Sequence, residues 1–177
     1  MAYVIDSRIT LIISLMIILV CFLLGYLKSK KEETKYEKRD IMKLLFAAYL
    51  LIIASFTLFP ILVPPMHTEE LQYNIDVRHL FRALADRASL IDVAGNVMLF
   101  IPVGIIGYLA ELKSFKSIKS AVVFSLALSM CIEMLQGVET YLGFADFSTV
   151  VDINDIITNT TGGVIGYILI RTYRKES

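Results

Sequence analysis

Five predominantly apolar stretches divide this 177-residue chain: roughly Ile9–Leu27, Ile41–Phe59, Val93–Leu112, Ala121–Gln136 and Ile153–Tyr173. About 20 such residues in a helix cross the ~30 Å hydrocarbon core of a bilayer. Inside that core a chain satisfies its backbone only as helices or as a closed barrel. Long continuous runs, without the two-residue alternation of barrel strands, point to helices. Composition agrees: 56% of the residues are hydrophobic and 19% charged, against about 45–50% and about 25% in soluble domains. The expected fold class is therefore all-α, a polytopic integral membrane protein with five transmembrane helices forming one membrane domain over residues 1–177. The fourth span is the shortest and can extend through Gly137 and Val138. The first runs into Lys28, Lys30 and Lys31 with no small-residue cleavage site, so it reads as a retained span rather than a removed signal peptide.

The distribution of basic residues sets the expected orientation, because Lys and Arg accumulate in cytoplasmic loops. Thirteen of the 17 lie in the 28–43, 113–119 and 171–175 stretches, and four (Arg8, Arg78, Arg82 and Arg87) lie in the alternate segments. This places the N-terminus outside and the C-terminus in the cytoplasm. The 28–40 connector reads as solvated mixed charge. Cys21 and Cys131 are too few and too scattered for a disulfide framework or a zinc site, and read as thiols buried at membrane depth. His67 and His79 lack partners at metal-ligand spacing, so neither a metal nor a cofactor is expected. No basic tract suits nucleic acid.

Between the second and third spans, Pro60, Pro64 and Pro65 stop the second helix, since proline removes a backbone donor and clashes with the preceding turn. Beyond them Val77, Leu80, Phe81, Leu84 and Ala88 form one apolar stripe. The spacing predicts an outer amphipathic interfacial helix over 76–89. Its Arg78 and Arg82 either snorkel to headgroups or grip an anion, for which the guanidinium fork is suited.

Polar residues interrupt three of the apolar runs. Asp92 and Asn96 lie one turn apart on the third span, which Pro102 is expected to kink. Ser125, Ser129, Glu133 and Gln136 share a face of the fourth span. Asp152, Asp155 and Asn159 share a face of the fifth with Gly162 and Gly166. Thr158, Gly162 and Gly166 make a small-xxx-small ladder that admits a neighbouring helix closely, so the carboxylates of the fifth span are expected to face inward. If the five spans alternate, Asp92, Asn96, Glu133, Gln136, Asp152, Asp155 and Asn159 meet at the outer face. Ionisable groups at that depth are costly unless paired, and mark functional sites. Bland readings stand beside this one. The amides of Asn96, Gln136 and Asn159 can simply join helices, and Asp152 can cap the fifth helix. Glu133, one turn inside the membrane edge, must be neutral or paired.

Three blocks, DVAGNVMLFIPVG (92–104), IEMLQ (132–136) and VDINDIITNTTGGVIGY (151–167), occur in the order found in the VanZ-like family, which this chain resembles from about 41 to 173. The TLFP run at Thr57–Pro60 is similar to the end of that family's second helix. The first span, about 9–27, lies outside the resemblance. Thr149 stands where the family usually has an arginine. The resemblance implies a protein of the bacterial cytoplasmic membrane associated with resistance to teicoplanin-type glycopeptides. Two functions are then open. One is an envelope protein that binds a cell-surface ligand (a lipid-linked cell-wall precursor, a lipid headgroup or the lipoglycopeptide itself) in the outward pocket, with Arg78 and Arg82 on its anionic part. The other is an intramembrane hydrolase or transferase with Glu133 and Asp155 as general acid and base. A small transporter is the weakest reading, because the chain has no internal repeat.

Overall fold

The computed structural model describes residues 3–31, 38–63, 87–145 and 152–176. Five helices dominate: α1 (Ser7–Lys31), α2 (Lys38–Thr57), α3 (Arg87–Leu109), α4 (Ile118–Tyr141) and α5 (Ile153–Glu176). They overlap the five apolar runs, but α2 stops at Thr57, before Pro60, and α3 spans Arg87–Leu109, starting six residues before its run and ending three residues short of Leu112. Arg87–Ser89, assigned from sequence to an interfacial helix, form the first turn of α3 instead, and 76–86 lie outside the described residues. The helices in 39–57, 90–109 and 118–141 are long and apolar enough to cross a membrane, and Ser7–Leu23 is a shorter apolar helix. Two polar opening turns and three basic residues near its end hold α5 below that apolarity, although 24 residues of helix extend about 36 Å.

Local chemistry explains the ends. Asp6 caps α1 by accepting the Arg8 amide at 2.9 Å, which holds its carboxyl below the usual carboxylate range. Ser117 and Ser120 bond reciprocally across the start of α4 as a capping box. At the other end of α4, Gly143 takes a left-handed φ of 75°. The Phe144 amide then reaches the Glu139 carbonyl and the Gly143 amide that of Thr140, which satisfies carbonyls the helix would leave open.

One small feature departs from an all-helical fold. Tyr3–Ile5 (β1) pairs antiparallel with Ile61–Val63 (β2), Tyr3 opposite Val63. The Leu62 amide donates to Phe144 O at 2.7 Å, so this ribbon also ties the turn after α4 to the end of α2.

The core is a seam between α3 and α5 flanked by α2 and α4. The parallel pair α3 and α5 approaches backbone to backbone. A Cβ added at Gly162 would strike the Val97 carbonyl, one at Gly166 the Ile101 carbonyl, and one at Gly104 the Gly163 carbonyl. Phe100, Val103 and Tyr167 fill the seam, and Phe46 and Phe115 close one end. Pro102 lies within continuous helix. On α1 most large apolar side chains face outward. Cys21 and Cys131 are likewise on outward surfaces. Neither thiol is inside the protein, because α1 packs on one side only and Cys131 faces away from the seam.

Candidate functional site

All five helices alternate in direction, so the starts of α3 and α5 and the ends of α2 and α4 share one end of the bundle. There the polar residues converge. Asp152 is the N-cap of α5: its Oδ1 accepts the backbone amide of Asn154 at 2.8 Å and that residue's side-chain Nδ2 at 2.6 Å. This fixes the Asp152 backbone so that its own N–H donates to Glu133 Oε2, 3.0 Å away on α4. One turn into α5, Asp155 Oδ1 accepts from Asn96 Nδ2 of α3 at 2.7 Å. A further turn along, Asn159 Nδ2 donates to Ser129 Oγ of α4 at 3.1 Å. The N-terminal half of α5 is thus bonded on one side to α3 and on the other to α4.

Glu133 is 3% exposed. It lies within electrostatic range of Asp152 and Asp155, and Asp155 within range of Asp92. Asp92 itself is exposed at the rim. The ion pairs among the described residues join Arg8 to Asp6, Arg39 to Glu111 and Lys43 to Asp40, and none reaches these four carboxylates. Below them, Ser125 Oγ and Asn159 Oδ1 are buried without a hydrogen-bond partner among the described residues. Four carboxylates over a floor of buried hydroxyls and an amide make an environment that favours a cation or a strong hydrogen-bond donor. No group of three His, Cys, Asp or Glu side chains among the described residues has metal-holding geometry.

Of the nine residues expected to form the site, Asn96, Glu133, Asp152, Asp155 and Asn159 are hydrogen-bonded within it, with Asp92 close by. Gln136 turns away: its Nε2 donates to Thr57 O at 2.9 Å, one of the carbonyls left open where α2 ends. Arg78, Arg82 and Thr149 lie outside the described residues. Sequence reasoning did not assign Asn154, 6% exposed, or Ser129, fully buried, to the site. The signal for Asn154 was its place two residues after a helix-capping Asp. The signal for Ser129 was its place one turn before Glu133.

Fold and site together define a small helical membrane protein with a carboxylate cluster at one end of the bundle, in which Glu133 is buried and Asp92 exposed. The chain belongs to the VanZ/LLP1 family, whose model matches residues 46–174. That span includes every described site residue and leaves α1 outside. Among curated proteins and among solved structures, no match was found.

Proposed function

We propose that the protein crosses the bacterial cytoplasmic membrane five times, with its N-terminus outside and its C-terminus in the cytoplasm. Its outward-facing carboxylate pocket binds a cell-surface ligand and so lowers susceptibility to teicoplanin-type lipoglycopeptides. The observation that carries the reading is Glu133, a carboxyl group 3% exposed, held by the Asp152 amide beside two further acids. A purely structural network would be served by neutral amides at lower desolvation cost. Asp92, Asn96, Glu133, Asp152, Asp155 and Asn159 would take the cationic or hydrogen-bond-donating part of the ligand. Arg78 and Arg82 of the outer loop would take an anionic part. A lipid-linked cell-wall precursor, a lipid headgroup and the drug itself all present such groups.

The test is a pair of near-isosteric substitutions expressed in a teicoplanin-sensitive bacterium. Glu133→Gln keeps an acceptor for the Asp152 amide, and Asp155→Asn keeps one for Asn96, so both proteins should accumulate and melt normally. Each should return the inhibitory concentration of the drug to that of cells lacking the protein. Full protection by both folded variants would reject the pocket as the working site. Reporter fusions after Lys116 should read cytoplasmic; an external signal there would overturn the outward placement.

A second reading, an intramembrane hydrolase or transferase, draws on the same pair. Glu133 and Asp155 come from different helices, lie in electrostatic range, and each gives one oxygen to a fixed donor. A protonated Glu133 opposite an ionised Asp155 would act as acid and base on a lipid or cell-wall precursor. Turnover of a lipid-linked precursor by purified protein, lost in Glu133→Gln, would favour this reading over ligand binding.

A further inference from the structure

The opposite end of the bundle is built differently. Tyr108 of α3 and Tyr167 of α5 stand edge to face with ring centroids 5.8 Å apart. The Arg171 guanidinium rests 5.8 Å over the Tyr167 ring, and that of Arg174 rests 5.9 Å over the Tyr108 ring. Tyr167 is 1% exposed and fixed in the α3–α5 seam. Both arginines are exposed. A guanidinium over a ring keeps its five N–H donors in its own plane, available to a further partner. Lys113, Lys116, Lys119 and Lys175 lie exposed at the same end. Among the described residues neither these lysines nor the two arginines form an ion pair. The C-terminal dipole of α5 accounts for positive charge there. It does not account for two guanidinium groups seated on one aromatic pair.

In line with Arg171 at helical spacing along α5, Ile168 and Ile157 are exposed apolar side chains, with Val164 partly exposed between them. Cationic donors above and an apolar track below match the two halves of a lipid. We propose that Tyr108, Tyr167, Arg171 and Arg174 form a binding site for the phosphate of an anionic phospholipid, whose acyl chains lie along the outer surface of α5. The aromatic pair holds the guanidinium groups in place before the lipid arrives, so less side-chain entropy is lost on binding than for freely moving arginines. This site is separate from the carboxylate pocket and stands whether or not that pocket binds a ligand.

Three proteins test it in lipid nanodiscs: the unaltered chain, Arg171→Gln/Arg174→Gln, and the charge-conserving Arg171→Lys/Arg174→Lys. Retention of lipid is read by native mass spectrometry after release from discs of equimolar dioleoyl phosphatidylglycerol and dioleoyl phosphatidylcholine. The unaltered chain should retain the phosphatidylglycerol preferentially. The Gln variant should lose this preference by about tenfold or more, as expected from two basic residues at a lipid surface. The Lys variant, which keeps that charge attraction but cannot stack or bind bidentately in the same way, should fall between the two, with a clear but smaller loss. Inorganic phosphate at millimolar concentration should not displace the lipid. Equal retention of the two lipids, an unchanged preference in either variant, or displacement by inorganic phosphate alone would overturn the assignment.

Discussion

The pair α3–α5 and the pair α1–α2 are both made of apolar helices, yet they are held together in opposite ways. In the first, three glycines let backbone touch backbone, and Asn96 adds a hydrogen bond to Asp155 at one end. In the second, the polar contact among the described residues is the Ser14–Ser55 hydroxyl pair at 3.3 Å. In lipid there is little hydrophobic gain from pairing helices, so close van der Waals packing and interhelical hydrogen bonds decide which pairs are firm. The comparison teaches that apolarity puts a helix in the membrane and small and polar residues assign its partner. The matched family segment, residues 46–174, contains α3 and all but the last two residues of α5, and stops short of α1.

The largest effect should come from filling the glycine seam. Gly162→Leu and Gly166→Leu each drive a side chain into a carbonyl of α3 and should cost about 3 kcal/mol or more, at or beyond the upper end of overpacking penalties. Thermal melting in detergent would show this, and unchanged melting in both would mean that the seam is not close-packed. Next is Asn96→Ala, which removes the donor to Asp155. A loss of about 1–2 kcal/mol is expected, and a gain in stability would mark that bond as a functional compromise. Gln136→Leu frees the Thr57 carbonyl and should cost about 0.6 kcal/mol, the average for such bonds between membrane helices. Smallest is Ser14→Ala, below about 0.5 kcal/mol, because Ser55 keeps its own bond to Leu51 O at 2.9 Å. A Ser14→Ala cost approaching that of Gly166→Leu would dissolve the contrast between the two pairs.

The helices were legible because membrane spans are long and their apolarity is nearly continuous. The inward placement of Asp155 was legible too, since it shares a side of its helix with the glycine ladder. What the spacing could not convey was that α5 has two packing faces: Gly162 and Gly166 meet α3, whereas Asn159 and Gly163 meet Ser129 and Ser125 of α4. Helical periodicity gives a direction around one axis and says nothing of how many neighbours share it. Gln136 was placed in the pocket for the same reason. It lies on the side of α4 that carries Glu133, but an open carbonyl at the end of α2 drew it away. The β1–β2 ribbon was not foreseen, because three-residue apolar strands beside a span resemble its continuation. Its pairing depends on a partner more than fifty residues away.

The parallel run of α3 and α5 has a consequence for how the protein is made. Neighbours that point the same way cannot be joined by a short turn, so α4 must first carry the chain back across. A ribosome that has delivered α3 and α4 into the membrane leaves the Gly104 surface and the Asn96 amide of α3 facing lipid. Only when α5 emerges do its Gly162 and Gly166 close that surface and does Asp155 meet its donor. The firmest contact in the molecule is thus among the latest to be synthesised, and a chain released before α5 would leave the Asn96 amide and the Gly104 surface of α3 without their partners.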